Sequence, residues 1–86
     1  MPDYVISVAR SAEKEIIALP SPVLERVRRI VDGLAIQPRP SGCKKLRNTR
    51  DRWRVRAGDY RVIYTIDDKS RKILIERVRH RRFVYR

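Results

Sequence analysis

Histidine, cysteine and aromatic residues are scarce in this chain. It has one His, one Cys, one Trp, one Phe and four Tyr among 86 residues. The single cysteine, Cys43, excludes an intramolecular disulfide, and no metal-ligand spacing surrounds it, so we predict neither a disulfide nor a bound metal or cofactor. With so few large apolar side chains, we expect a small core in which one sheet face is covered by one or two helices.

Long hydrophobic runs, repeats and linkers are also missing. No apolar run approaches the ~20 residues that cross a membrane, and Asp3 interrupts the N-terminus where a signal peptide would become apolar. The length favours a single domain spanning residues 1–86. Together with the lone cysteine, these features predict a cytoplasmic protein with no membrane partner.

Acidic residues are few, and the resulting positive charge is unevenly placed. The chain has 22 Lys and Arg against 10 Asp and Glu, a net charge of +12. Residues 1–43 hold six basic and five acidic groups, whereas residues 44–86 hold sixteen and five, net +11. Such a concentration favours a phosphate-rich or acidic partner for the second half, the alternative being a solvated basic surface.

The first half predicts one strand followed by two helices. Residues 4–8 are typical of a short strand. We expect Ser11 to cap a short first helix that ends before Pro20. Ser21 then caps a second helix with Pro22 at its first position, and apolar residues at helical spacing over 23–35 predict one buried stripe.

The second half alternates polar and apolar residues with the period of a strand. Residues 52–57, 60–66 and 72–78 are predicted strands, separated by turns at Gly58-Asp59 and at 67–70. The order of elements predicts an α+β domain. Its two N-terminal helices pack on one face of a small, mainly antiparallel sheet of four to five strands.

The Gly58-Asp59 turn determines which residues of its two strands share a face. It pairs Ala57 with Tyr60 and Arg56 with Arg61, and directly paired residues share a face. One face then carries the apolar side chains Trp53, Val55, Ala57, Tyr60, Val62 and Tyr64, which we assign to the core. The other, here named the arginine face, carries Arg52, Arg54, Arg56 and Arg61 with Ile63 and Thr65.

The arginine face indicates an anionic ligand. Like charges directly opposite one another destabilise a sheet, so four arginines need an external partner. Guanidinium groups remain charged and bind phosphate oxygens through paired hydrogen bonds. Extending the register through the second turn places Glu76 opposite Arg61, and the alternative is that this pair is purely structural.

The C-terminal residues combine charge with groups suited to proton transfer. His80 is the only histidine, and a neutral imidazole next to bound phosphate can act as a general base. Tyr85 is suited to stacking on a base or supplying a proton. The alternatives are a solvated histidine and a packed terminal aromatic ring. Because paired catalytic carboxylates and metal-ligand spacings are absent, any phosphodiester chemistry is expected to be metal-independent.

Several stretches resemble the RelE branch of the RelE/ParE toxins. They are Lys44-Lys45-Leu46, the strand motif G-D-Y-R-V-I-Y at 58–64 and the tail motif H-R-R-x-V-Y at 80–85. The resemblance extends essentially from end to end. It implies a RelE-like toxin fold and a ribosome-dependent endoribonuclease that cleaves mRNA in the A site. Cleavage by the neighbouring 2′-hydroxyl would leave a cyclic phosphate.

The resemblance also implies roles for individual residues. Arg61 resembles the family's phosphate-binding arginine, Arg81 the tail arginine at the leaving oxygen, and Tyr85 the tyrosine that orients the nucleotide. Arg52 and Arg54 stand where well-studied members have lysines, and an arginine keeps its proton, so His80 is our first candidate for the general base and Tyr85 the second. We assign RNA binding to Lys44, Lys45, Arg52, Arg56 and Arg82.

The implied partners are mRNA, the ribosome and a cognate antitoxin. A RelB-like antitoxin with an acidic segment would neutralise the arginine face and block it within a hetero-oligomer. Two alternatives remain open. One is a ParE-type toxin that inhibits DNA gyrase, and the other is an inactive module that binds RNA or antitoxin.

Overall fold

The fold is an open sheet of five strands with two helices on one face. A computed structural model describes residues 3–49 and 51–84, so Tyr85 lies outside the described residues. The helices are α1 Arg10–Ile17, α2 Ser21–Leu34 and the short α3 Arg81–Val84. The strands are β1 Val5–Val8, β2 Lys44–Lys45, β3 Arg52–Ala57, β4 Tyr60–Asp67 and β5 Lys72–His80. The predicted α+β architecture is confirmed.

Both long helices begin earlier than the sequence predicts, α1 by two residues and α2 by one. Ala9 is the N-cap of α1 and Pro20 that of α2, and neither cap has a side-chain hydrogen bond. Ser11 and Ser21 therefore lie inside the first turns, and their prediction as caps is wrong. The hydroxyl of Ser11 instead donates to the carbonyl of Glu76 over 2.8 Å, which ties α1 to β5.

The strands lie in the order β1-β5-β4-β3-β2. β1 pairs with β5 in parallel, and the other neighbours are antiparallel. The helices cover the predicted core face of β3 and β4. The core cluster consists of Ala12, Val27, Leu34, Val55, Ala57, Val62, Tyr64, Ile66, Ile73, Ile75 and Val78. No helix among the described residues is long and apolar enough to span a bilayer.

The predicted register of β3 with β4 is confirmed, from Ala57 opposite Tyr60 to Trp53 opposite Tyr64. The predicted pairing of Arg61 with Glu76 is wrong, because Arg61 lies opposite Arg79. Two irregularities cause the shift. The β4–β5 turn takes in Arg71, whose φ is +55°, and a bulge in β5, where Glu76 is an extra residue between the partners of Tyr64 and Ile63, shifts the register again.

A polar cluster fastens the β4–β5 turn to the rest of the fold. The Asp68 carboxylate accepts a hydrogen bond of 2.6 Å from the Tyr4 hydroxyl. It also accepts two from the guanidinium of Arg39, at 2.8 and 3.3 Å. These bonds hold the pKa of Asp68 below its ordinary value. The hydrogen bonds from Arg39 contribute most to this lowering, and the hydrogen bond from Tyr4 contributes next.

We expect Asp68→Asn to lower the free energy of unfolding by about 0.5–1 kcal/mol at pH 7, a range set by the solvent screening of exposed pairs. Because folding lowers the pKa of Asp68, this stabilisation is present at pH values above the pKa of the unfolded chain, which is the ordinary value of 3.8. It is lost as the pH falls below that value. Urea unfolding from pH 7 to pH 2.5 measures the difference. Glu25→Gln, which removes the looser 3.6 Å pair with Arg29, is the control and should have a smaller effect. A constant difference across the pH range would contradict this account.

Candidate functional site

Strands β2, β3 and β4 bring basic side chains together on the arginine face. Arg56 lies directly opposite Arg61, and Lys44 directly opposite Arg54, so each pair shares a face. Ile63 lies opposite Arg54 on the same face and is only 6% exposed, although the helices cover the other side of the sheet. The aliphatic stems of the arginines account for this burial, because such stems cover apolar surface while the charged ends stay in water.

These residues line a cavity of about 330 Å³. Its walls are Gly42, Lys44, Arg54, Arg56 and Arg61, and none of them is acidic. The Nε of Arg56 donates to the carbonyl of Gly58 over 2.9 Å, and Nη1 of Arg61 makes a long 3.4 Å contact with the carbonyl of Tyr60. Such neutral acceptors orient the guanidinium groups without neutralising them. The cavity therefore suits a phosphate group.

Acidic side chains pair with the arginines at the periphery of this face. Glu76, at the bulge, lies 2.9 Å from the Nε of Arg52. Glu15 of α1 holds Nη2 of Arg77 at 2.9 Å and Nε of Arg79 at 3.4 Å. Neither Glu76 nor Glu15 lines the cavity, so the charged residues of its wall are all basic.

Arg79 extends the arginine face at its periphery, which the sequence did not reveal. It lies directly opposite Arg61, which extends the row of arginines across a third strand. The only signal in the sequence is the number of residues between Arg61 and Arg79. Both the β4–β5 turn and the bulge had to be known before that number placed Arg79 opposite Arg61.

His80 is on the other side of the sheet from the cavity. It lies directly opposite Tyr60, and the two rings meet edge to face with centroids 5.3 Å apart. Successive side chains of a strand point to opposite faces, so Tyr60 and His80 face away from Arg61. Nδ1 of His80 accepts a hydrogen bond of 3.3 Å from the backbone N–H of Arg82. The structure thus does not bring His80 to the phosphate cavity.

Lys45, Arg81 and Arg82 lie outside the wall of the cavity. Lys45 lies opposite Trp53, yet it lines a neighbouring hollow of about 460 Å³ with Lys44, Leu46, Arg47 and Arg54. Arg81 and Arg82 are exposed on α3. The backbone N–H of Arg81 donates to the carbonyl of Asp59 over 2.7 Å, which fixes α3 to the β3–β4 turn. Among residues 3–49 and 51–84, no group of three or more His, Cys, Asp or Glu is placed to hold a metal ion.

Comparison with known proteins identifies the family of this chain. A family model described as the ParE toxin of the type II toxin–antitoxin system parDE matches residues 6–85. The chain belongs to the RelE/ParE toxin superfamily. This toxin is 31% identical over 84 residues to Toxin RelG of Mycobacterium tuberculosis, an alignment covering 96% of the chain and 97% of the relative.

Solved structures show the same fold. The archaeal RelE–RelB complex from Pyrococcus horikoshii matches with a TM-score of 0.82 and 31% identity, over 92% of this toxin and 96% of that chain. The RelBE2 toxin–antitoxin complex from Mycobacterium tuberculosis matches with a TM-score of 0.79 and 29% identity, over 91% and 98%. The resemblance to RelE toxins predicted from the sequence is confirmed.

Proposed function

We propose that this toxin is a ribosome-dependent endoribonuclease that cleaves mRNA in the A site and so inhibits translation. The observation that carries the proposal is the cavity lined by Lys44, Arg54, Arg56 and Arg61 with no acidic wall. Several fixed cations around one small hollow suit a phosphodiester whose negative charge increases in the transition state. Relatives named as RelE toxins support the same activity.

The proposed reaction is an internal transfer at phosphorus. The 2′-hydroxyl oxygen loses its proton and attacks the adjacent phosphorus, and the bond from phosphorus to the 5′-oxygen breaks. The products are a 2′,3′-cyclic phosphate and a 5′-hydroxyl that takes up a proton. Arg61, Arg54 and Arg56 stabilise the charge on the pentacovalent phosphorus, so the proposed chemistry is metal-independent.

The proton transfers are assigned to the C-terminal tail. Arg81 is proposed to act at the leaving 5′-oxygen, since α3 begins beside the β3–β4 turn. His80 faces away from the cavity, which favours Tyr85 as the group that takes the proton of the 2′-hydroxyl. We propose that Lys44, Lys45, Arg52, Arg56 and Arg82 bind mRNA or ribosomal RNA through its phosphates.

The proposed partner is a RelB-like antitoxin. The solved relatives include toxins in complex with RelB, which supports a hetero-oligomer of the same kind. An acidic antitoxin segment lying over the arginine face would neutralise its charge and exclude mRNA together. We place this complex in the cytoplasm, where its ribosomal target is found.

The decisive experiment is primer extension on an mRNA incubated with purified ribosomes and the toxin. We expect discrete cuts at the A-site codon and none on the same mRNA without ribosomes. Cutting should persist when the assembled ribosomes are first stabilised with polyamines and excess EDTA is then added. No cut by a toxin that still arrests growth would overturn the proposal. A ParE-type activity on DNA gyrase is the second candidate, because the matching family model is described as a ParE toxin. A supercoiling assay with gyrase then tests it.

A further inference from the structure

The chain leaves the sheet at His80, the last residue of β5, and α3 begins at the next residue. Arg81 is the first residue of this helix, and Tyr85 follows its last residue in the sequence. Both residues to which the proposed function assigns the proton transfers therefore depend on the direction in which α3 leaves the sheet. A helix of four residues is not stable by itself in water, so contacts from outside the helix must set that direction.

Two backbone N–H groups at the start of α3 have acceptors outside the helix. The N–H of Arg81 donates to the carbonyl of Asp59 over 2.7 Å. The N–H of Arg82 donates to Nδ1 of His80 over 3.3 Å. The first N–H groups of any helix lack partners within it, and the side chain of the residue just before the helix commonly accepts from one of them. His80 has this place and this hydrogen bond, so it is the N-cap of α3.

The ring of Tyr60 supports the imidazole in the orientation that this hydrogen bond requires. The two residues lie directly opposite each other on β4 and β5, and their rings meet edge to face with centroids 5.3 Å apart. Aromatic pairs favour this arrangement. Because His80 is half-buried, the contact restricts the orientations that the imidazole can adopt. Packing and hydrogen bonding therefore both direct Nδ1 at the first turn of α3.

The same hydrogen bond leaves the imidazole without a free acceptor. Nδ1 accepts from Arg82, so the proton of a neutral ring is on Nε2. A nitrogen that carries a proton cannot take another, whereas a general base needs a free lone pair within hydrogen-bond reach of the group that it deprotonates. His80 also faces away from the phosphate cavity. On both counts it is unsuited to take the proton of the 2′-hydroxyl.

We propose that His80 is a positioning residue, which caps α3 and so holds Arg81 and the chain that leads to Tyr85 in the arrangement that cleavage requires. It acts through the backbone N–H of Arg82 and touches neither the phosphate nor the nucleotide. The proposal rests on the proposed function for the roles of Arg81 and Tyr85, whereas the cap itself rests on the hydrogen bond to His80.

Two substitutions of His80 separate a cap from a packing contact and from a general base. Oδ1 of an asparagine is as many bonds from Cα as Nδ1 of a histidine, and asparagine side chains readily accept from the N–H two residues further on. His80→Asn therefore keeps the acceptor and loses the aromatic ring. His80→Leu keeps an apolar side chain against Tyr60 and loses the acceptor. Neither variant retains a group that can act as a general base.

Cleavage on the ribosome is compared for the toxin and both variants, with kcat and KM for programmed ribosomes determined separately. We expect His80→Leu to lower kcat about fivefold, the change in population that loss of a typical cap produces. KM should change little, because the basic residues of the arginine face bind the RNA. His80→Asn should recover most of the activity. Loss in His80→Asn alone would indicate packing, and equal losses in both variants would indicate a general base. Either result would overturn the proposal.

NMR of the purified full chain tests the cap without ribosomes. We expect the nitrogen chemical shift of His80 Nδ1 to be that of an unprotonated nitrogen. The amide of Arg82 should exchange with solvent about fivefold faster in His80→Leu than in His80→Asn. Unchanged amides of β4 in both variants verify that the sheet is intact. A proton on Nδ1, or equal exchange in the two variants, would overturn the cap. Absence of cleavage by the unsubstituted toxin would instead overturn the nuclease function, and the exchange rates would still decide the cap.

Discussion

Arg61→Ala should reduce cleavage on the ribosome by about 10²–10³-fold in kcat, the loss expected when one preorganised donor to a charged transition state is removed. Arg61 lies in the central part of the cavity wall, paired with Arg56 on one side and Arg79 on the other. Its guanidinium is half-buried and contacts only a neutral carbonyl. No neighbouring carboxylate therefore loses a partner when the arginine is removed, and the fold should persist.

Measuring the affinity for ribosomes beside the cleavage rate separates a catalytic role of Arg61 from simple binding of a phosphate. Ribosome affinity of Arg61→Ala should fall modestly, with a decrease of about one in the slope of log affinity against log salt. Arg61→Lys should recover part of the activity, since a lysine keeps the charge but loses the paired donors. Arg28→Ala, which removes an exposed arginine from α2, is the matched control and should cleave normally. Equal losses of affinity and cleavage would indicate a binding module instead of an enzyme.

Leu34→Ala should produce the largest loss of stability that we predict, about 2–5 kcal/mol in the free energy of unfolding. Leu34 is fully buried at the end of α2, where it anchors the helix on the sheet. Small domains have only roughly 5–15 kcal/mol of stability in total. The midpoint of thermal unfolding should therefore fall by roughly 10 °C or more, which calorimetry or circular dichroism measures.

Leu24→Ala is the matched control for this prediction. It makes the same substitution on the same helix at a side chain that is 37% exposed, so less apolar surface returns to water. We expect a loss of about 1 kcal/mol or less. A similar effect of both substitutions would mean that α2 does not pack on the sheet as described.

The sequence predicted those features that depend on local turns and short periods. The Gly58-Asp59 turn allows one pairing of its strands, and Gly58 indeed has a φ of +63°, as a turn that begins with glycine requires. That register alone placed Arg54, Arg56 and Arg61 on one face. The matches to RelE-like toxins agree with the resemblance read from the strand and tail motifs.

Features that depend on irregular backbone or distant contacts were not predictable. The bulge at Glu76 of β5 and the positive φ of Arg71 shift the register by amounts that the residue types alone did not determine, so Glu76 was paired with Arg61 in error. Glu15 contacts β5 from a position 63 residues away in the sequence. The face occupied by His80 followed only once the register of β5 was known.

The position of Glu15 has a consequence for how the molecule meets other chains. β1 pairs with only the first part of β5, residues 72–75, and among residues 3–49 and 51–84 no strand pairs with the rest of that edge. An exposed strand edge can pair with a second polypeptide, and such pairing is a common first step of aggregation. The carboxylate of Glu15 accepts the backbone N–H of Val78 over 2.8 Å, in the place where an added strand would bond. Side chains of α1 thus occupy backbone groups of β5, Glu15 at Val78 and Ser11 at Glu76, and oppose unwanted self-association through this edge.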